Sequence, residues 1–402
     1  MQSKAVLAIA VAVVVIIAGI GAFMLLNNNG NNDSPTGEVT DALGRTIKIP
    51  SDLDNGIVTI GSTGPLRFAS IFDVYDRIIE VDKGDITDNK NGRAYSYAYP
   101  YDKLDVETQS HADNKLESAT VESIGKKNPS LVITSAGVWN NYAENFQTLA
   151  KKVTVVVLKD QQMKYMTEDG KLAEFITFNI ELLGKVLKKE SRATEVIDGI
   201  NGIIADIASL KGTSDRSIYV AGVTISGSNT LNTTFPRYIP FDLTGSKNAY
   251  AGGSTESKVV LSPEEVAKMD IDMIIIDPSS SDKVKEQDSQ AVLSYLYGLD
   301  ESERPDMYIT VPIVWDSINY DCALASAFVV TYLNYQGSLT LEQLEQKVVN
   351  VFKTFYGTHG DNVLKDMKTF FEGKSSSNGQ EMPIFQEVEV VKNGDMYALA
   401  AA

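Results

Sequence analysis

From Gly170 to Lys211 the chain carries no proline and repeats its apolar residues at three- and four-residue intervals. They fall at Leu172, Phe175 and Ile176, Leu182 and Leu183, Val186 and Leu187, then Ala193, Val196 and Ile197, Ile200, Ile203 and Ile204, and Ile207, with Asn179 as a polar exception. This is the spacing of amphipathic helix, with one stripe turned to a core. Lys188-Lys189-Glu190-Ser191-Arg192 is polar and out of phase, which predicts two helices meeting there, the second over about Ser191 to Leu210. At ~1.5 Å per residue the second helix spans roughly 30 Å, the width of a small domain. The chain before this stretch and the chain after it follow one plan. A helix between two similar α/β halves can act as a spacer that holds them facing each other across a cleft.

The first half opens with Glu38 to Pro50, a hairpin turning at Leu43-Gly44. Ile57 to Ile60 reads as a strand, and Pro65 suits the first turn of a helix running to Phe72. Ile78 to Val81 is the next strand, followed by a polar, tyrosine-rich region to Asn114. Thr120 is placed to cap a helix, Leu131 to Thr134 is a strand, Tyr142 to Ala150 a helix and Val153 to Leu158 a strand. In the second half Ser217 to Ala221 and Met273 to Asp277 read as strands. Ser262-Pro263-Glu264-Glu265 carries an N-cap, a first-turn proline and a capping-box glutamate. Ser289 to Tyr297, Tyr320 to Leu333, Thr340 to Phe355 and Val363 to Phe371 read as helices, Met307 to Val311 as a strand, and Pro383 to Val391 as one edge strand. Strands alternating with helices predict largely parallel sheets. Glu122 and Glu264 each stand nine residues before a strand core, Leu131 and Met273. From spacing alone, a glutamate there simply complements a helix N-terminus, a contribution of ~0.3–1 kcal/mol.

Ala5 to Leu26 is free of charge, follows Lys4, and precedes a polar linker. At ~1.5 Å per residue it reaches ~33 Å, enough to span a bilayer. It reads as an uncleaved signal-anchor, with a cleaved signal peptide as the second reading. Both place the later residues outside the cytoplasm. Asn32-Asp33-Ser34 and Asn232-Thr233-Thr234 match the glycosylation sequon. The expected divisions are 1–29 transmembrane helix, 30–37 linker, 38–168 N-terminal lobe, 169–211 lobe helix and backbone helix, and 212–402 C-terminal lobe. Net charge is −17, with no cluster of Lys and Arg, which argues against a nucleic-acid partner. The one cysteine, Cys322, reads as a small buried residue.

The order and spacing of these units resemble the substrate-binding proteins of iron-siderophore and cobalamin ABC importers. The resemblance covers about residue 38 to 372. It rests on the hairpin Val39-Thr40-Asp41-Ala42-Leu43-Gly44-Arg45, the helix-strand units from Val121 to Ile133 and Ser262 to Ile276, the single linking helix, and Pro312-Ile313-Val314-Trp315 followed by Ala323-Leu324-Ala325. Asn128-Pro129-Ser130 departs from the family form, which has an acid after the proline, and no lipid-anchor cysteine follows the apolar run. The resemblance implies two Rossmann-like α/β lobes joined by one rigid helix, a metal chelate (ferric siderophore, cobalamin or haem) held in the cleft, and no intrinsic cofactor. It implies a monomer working with a membrane permease and a cytosolic ATPase, and Glu122 and Glu264 as the glutamates that dock onto permease arginines.

Ligands of open α/β sheets bind outside the carboxyl ends of the strands. That selects the loop from Ser62 to Arg67, with Thr63 and Arg67, and the run Arg93-Ala94-Tyr95-Ser96-Tyr97-Ala98-Tyr99-Pro100-Tyr101. If the run is extended, its tyrosines share one face and offer rings to a planar ligand, or a tyrosinate to ferric iron; alternatively they cover an edge strand. Trp139 and Trp315, the only tryptophans, follow strands, where an indole stacks on ligand or packs inside. Arg67 and Arg237 suit ligand carboxylates or phosphates, and Tyr238 ends a long polar loop. A chelatase-like enzyme and a cell-surface interaction protein are the rival readings. Against an enzyme stand only two histidines, no Gly-x-Ser-x-Gly elbow, no Cys/His metal spacing and no Walker motif.

Overall fold

The strand Ile57–Ile60 (β3) is Ile-Val-Thr-Ile and buried along its whole length, as a strand covered on both faces must be. It follows a short hairpin, β1 (Glu38–Thr40) and β2 (Thr46–Lys48). The structure is a computed structural model. It describes residues 37–61, 64–87, 93–101, 116–160, 166–224, 229–250, 259–313, 319–335, 337–376 and 379–402. The expected membrane span, residues 1–29, and residues 30–36 of the expected linker 30–37 lie outside them. Among the described residues no helix is long and apolar enough to cross a membrane.

Parallel strands surround β3: β4 (Ile78–Glu80) on one side, and β5 (Leu131–Ser135) then β6 (Val155–Leu158) on the other, in the order β4-β3-β5-β6. The second half repeats this with β7 (Ser217–Ala221), β8 (Lys247–Asn248), β9 (Met273–Ile276) and β10 (Asp306–Ile309), in the order β8-β7-β9-β10 and again parallel. Read by chain position, both sheets are wound 2-1-3-4, so the recurrence in the sequence is a recurrence of topology. Both first strands end on a glycine with positive φ, Gly61 (112°) and Gly222 (75°). At Gly222 a Cβ would also lie 2.6 Å from Ser280 Cβ. Only glycine turns the chain off each strand at this point without strain.

The helices follow in chain order: α1 (Pro65–Ser70), α2 (Ala94–Ala98), α3 (Ser118–Lys127), α4 (Ala136–Asn141), α5 (Ala143–Ala150), α6 (Glu174–Val186) and α7 (Glu190–Ser209). The break between α6 and α7 falls at Lys188, whose φ is +56°. The second half adds α8 (Ile239–Thr244), α9 (Pro263–Ala267), α10 (Gln287–Gly298), α11 (Tyr320–Asn334), α12 (Leu341–Tyr356) and α13 (Val363–Glu372). Helix α7 buries Ala193, Val196, Ile200, Ile204 and Ile207. It packs on α6 from the first half and on α8, α11 and α12 from the second. One continuous apolar core therefore runs through it from sheet to sheet, while Val58, Val132, Trp139 and Phe146 form a separate cluster on the far face of the first sheet. Residues Val39–Ala402 form one compact unit.

Several local expectations are corrected. The tyrosine run is helical, not extended, over Ala94–Ala98. Its alternate spacing also contains an i, i+4 pair, Tyr95 and Tyr99, and that pair enters the core. Thr120 is buried inside α3, which starts at Ser118, and Ser289 lies inside α10. Trp139, which follows β5 as expected, lies inside α4, with Ser135 at the N-cap position. The C-terminal tail is a hairpin rather than one strand, β11 (Val388–Asn393) and β12 (Met396–Ala401). It forms a two-stranded sheet of its own, set beside β10 by an isolated bridge between Tyr308 and Glu387. The outer edge of β12 is met by side-chain amides. Gln290 exchanges two hydrogen bonds with the backbone of Tyr397, at 2.9 and 2.8 Å, and Gln380 does the same with Leu399, at 2.8 and 3.4 Å.

Candidate ligand-binding site

Arg67 is the third residue of α1, the helix that leaves β3. Asn319 is the N-cap of α11 and Asp321 its second residue; this helix follows β10. The carboxyl edges of the two sheets meet through these helix starts. Arg67 is 2% exposed, an uncommon state for a cation unless it is paired. Its Nη2 donates to Asn319 Oδ1, Nη1 lies 3.9 Å from Asp321 Oδ1, and its guanidinium carbon is 5.3 Å from the centroid of the Tyr95 ring. Among the described residues Nε and Nη1 make no hydrogen bond, and a buried unmet donor costs ~1–3 kcal/mol. Burial opposes the Arg67 charge most strongly, and Asp321 leads the attractions that carry its pKa upward. Phe68, next in α1, meets the Tyr320 ring edge-on at 6.4 Å, so the contact has an apolar side as well.

Behind Arg67 lies a second buried carboxyl. Tyr95 donates its hydroxyl to Asp85 Oδ1 at 2.8 Å, Asp85 Oδ2 is unpartnered, and Arg93 donates to the carbonyl of Gly84. Burial pushes the Asp85 pKa up to about 7 against the opposing pull of Arg93. In the second lobe Asp277, directly after β9, accepts from Ser279 N at 2.9 Å and Ile313 N at 2.7 Å, and burial raises its pKa to about 6. It ties the β9 and β10 loops together. Asp82 does this work in the first lobe, accepting from Gly61 N at 3.3 Å and Gly84 N at 2.9 Å.

The other residues singled out from the sequence are placed as follows. Tyr95 and Tyr99 are both 1% exposed. Tyr99 has its ring 4.6 Å from His359 and edge-on to Tyr356, while Tyr97 is half-buried and edge-on to Phe370. The tyrosines therefore join α2 to the last helices of the chain. Burial raises the pKa of all three. Trp139 stacks on Phe146 at 5.0 Å beneath the Arg45 guanidinium, in the cluster on the far face of the first sheet. Arg237 is part-exposed and pairs with Asp242 at 2.5 Å, and Tyr238 is buried against Phe235 and Phe241. Thr63 and Trp315 lie outside the described residues. Glu122 and Glu264 are exposed, and they precede β5 and β9, the matching third strands of the two sheets. Glu122 is the fifth residue of α3 and Glu264 the second of α9, so only Glu264 sits where a helix dipole favours it. Ser262 caps α9 in a full capping box with Glu265.

Sequence reasoning passed over Asp85, Asp321 and Tyr356. The signal available for Asp321 was an acid opening a helix that carries no other charged residue. Among the described residues a cavity of about 600 Å³ lies at the opposite edge, between the end of α7 and the start of β7, lined by Leu210, Ser214, Arg216, Asn334 and Tyr335.

Comparison with known proteins agrees with this geometry. The family described as periplasmic binding protein matches residues 81–294, more than half of the 402. The chain belongs to the periplasmic binding protein family. No curated protein sequence matches it. Similar solved structures include a periplasmic solute-binding protein from Veillonella parvula, 20% identical over 81% of this chain and 95% of that one, with a TM-score of 0.55. The molybdate-bound periplasmic binding protein MolA of a Haemophilus influenzae ABC transporter is 16% identical over 79% and 97%, with a TM-score of 0.54. CeuE of Helicobacter pylori, in complex with nickel and histidine, is 14% identical over 79% and 95%, with a TM-score of 0.51. The binding-protein fold covers nearly the full length of each of these relatives. The family is one of solute-binding proteins and not of enzymes, and its binding domain lies outside the cytoplasm.

Proposed function

We propose that this binding protein is the extracytoplasmic solute-binding component of an ABC importer, and that it captures a metal chelate between its lobes for delivery to a membrane permease and its cytosolic ATPase. The chelate is a ferric siderophore, a cobalamin-like corrinoid or haem. The observation that carries the reading is the pair of 2-1-3-4 sheets whose carboxyl edges meet at Arg67 and Asp321. Solved relatives described with molybdate or with nickel and histidine support a metal-containing cargo. Arg67, Arg93, Tyr95, Tyr97 and Tyr99 supply the first lobe's side of the site. Thr63, Trp139, Arg237, Tyr238 and Trp315 complete the residues to test. Residues 38–168 and 212–402 serve as the lobes, 169–211 as the lobe helix and strut, and Ala5 to Leu26 as a single-pass membrane anchor. Glu122 and Glu264 dock the monomer onto the permease, at a separation set by α7.

The test is purification from the native host followed by mass spectrometry and by titration of the released chelate against tryptophan fluorescence. One bound chelate per chain, with a saturable fluorescence change, is expected. Recovery of protein free of any chelate and unresponsive to ferric, corrinoid and haem probes would sink the reading. Turnover of the chelate would assign an enzyme instead.

A further inference from the structure

We propose that Asp321 is a built-in competitor for Arg67: the two attract across the lobes, and a carboxylate or other oxyanion of the cargo displaces Asp321 to take the guanidinium. This rests on the solute-binding reading above and adds to it the charge class of the cargo and a residue that sets its affinity.

The pair is unequal. Both oxygens of Asp321 are served from its own half of the chain, Oδ1 by the backbone N–H of Cys322 at 2.8 Å and Oδ2 by the hydroxyl of Tyr356 at 2.5 Å. Arg67 has no such supply. Nη2 is used by Asn319, Asp321 stands 3.9 Å from Nη1, beyond hydrogen-bonding distance, and Nε and Nη1 are buried without acceptors. A buried guanidinium is stabilised by charge and by filled donors together. Here charge is balanced at a distance and the donors are not filled. An oxyanion with free lone pairs satisfies both needs, whereas Asp321 satisfies one. Tyr356 holds Asp321 back from closer pairing, and so keeps Arg67 available. Among the described residues, the other polar groups near Arg67 do not compete. Asp85 is engaged by Tyr95 and faces Arg93, and Tyr95 offers Arg67 its ring rather than its hydroxyl.

The probe is citrate without metal, followed by calorimetric titration and thermal melting of the full chain. Asp321→Asn removes the competing charge and is expected to tighten citrate binding at least tenfold over wild type and to make the melting temperature rise with citrate. Arg67→Gln combined with Asp321→Asn is expected to lose both effects. Tyr356→Phe frees Asp321 to close on Arg67 and is expected to weaken citrate several-fold; it decides the matter if Asp321→Asn does not fold. Unchanged citrate affinity in Asp321→Asn, or in Tyr356→Phe where that variant decides, overturns the proposal. Ferric citrate and the neutral ferric trihydroxamate ferrichrome separate the two readings. If wild type binds ferric citrate and Arg67→Gln binds it equally well, the competitor is refuted while chelate binding stands. If ferric citrate, ferrichrome, cobalamin and haem all fail to bind but Asp321→Asn gains citrate, the competitor stands and the chelate reading falls.

Discussion

Arg192, in the first turn of α7, donates Nη2 to the carbonyl of Thr354 at 2.8 Å, in the last turn of α12. The same nitrogen reaches the carbonyl of Phe355 at 3.0 Å, and Nε reaches that of Ile71, just past α1, at 3.1 Å. One planar guanidinium thus fills carbonyls that two helix ends leave open, on both halves of the chain. Arg192→Ala is expected to lower stability by roughly 2 kcal/mol, the scale of hydrogen bonds to a charged group. Arg192→Lys recovers only part of this, because an ammonium cannot span three carbonyls in one plane. Urea unfolding of the two variants checks the order.

Gly199 faces the same helix from about two turns further along α7. A Cβ there would stand 2.7 Å from Thr354 Cγ2. Alanine at an open helix position is worth about 1 kcal/mol over glycine. Gly199→Ala is nevertheless expected to destabilise, and to become stabilising in a Thr354→Ser background, where the clashing methyl is gone. A double-mutant cycle in urea reads the change of sign.

Asp85 gives the fold a pH dependence opposite to that of an ordinary salt-bridged acid. Burial raises its folded pKa to about 7 from the ordinary aspartate value of 3.8, so between these limits the folded state holds the extra proton. Its contribution to stability is full below about pH 3.8 and is lost as pH rises through about 7. Asp277 behaves alike, with its loss centred near pH 6. Asp85→Asn is expected to stabilise relative to wild type at pH 8 and to lose that advantage at pH 4.5, with ~1.4 kcal/mol for each unit of raised pKa removed. Chemical denaturation at the two pH values measures it; a parallel pair of curves would refute it.

Glu122→Arg with Glu264→Arg is expected to leave chelate affinity unchanged and to cut permease-coupled uptake in reconstituted vesicles more than tenfold. Both side chains are exposed, so the fold tolerates the exchange. Loss of chelate binding would move these residues from the docking role to the cleft.

The framework was legible where a local pattern and the core agreed. The three-four stripe of α7, the capping box at Ser262 and the all-apolar β9 each announce an element that burial then completes. The tyrosine run was not legible, because its spacing of two fits a strand face and a helix pair alike. Which one forms is decided by Tyr356, His359 and Phe370, contributed by the distant C-terminal helices. Arg67 was visible as a candidate charge, yet its counter-ion comes from the other half of the chain, and an acid opening a helix does not say which cation it will meet. Thr120 looked like a cap, but its position in α3 is set by packing.

The amides of Gln290 and Gln380 occupy, on alternate residues of β12, the positions where another strand would bind. Each presents one N–H and one C=O, as a peptide group does. At Tyr397 and Leu399 the last strand of the sheet therefore has no open backbone groups to template a neighbour. Another copy of the chain that approaches this edge meets side chains at these two residues instead of an open ladder.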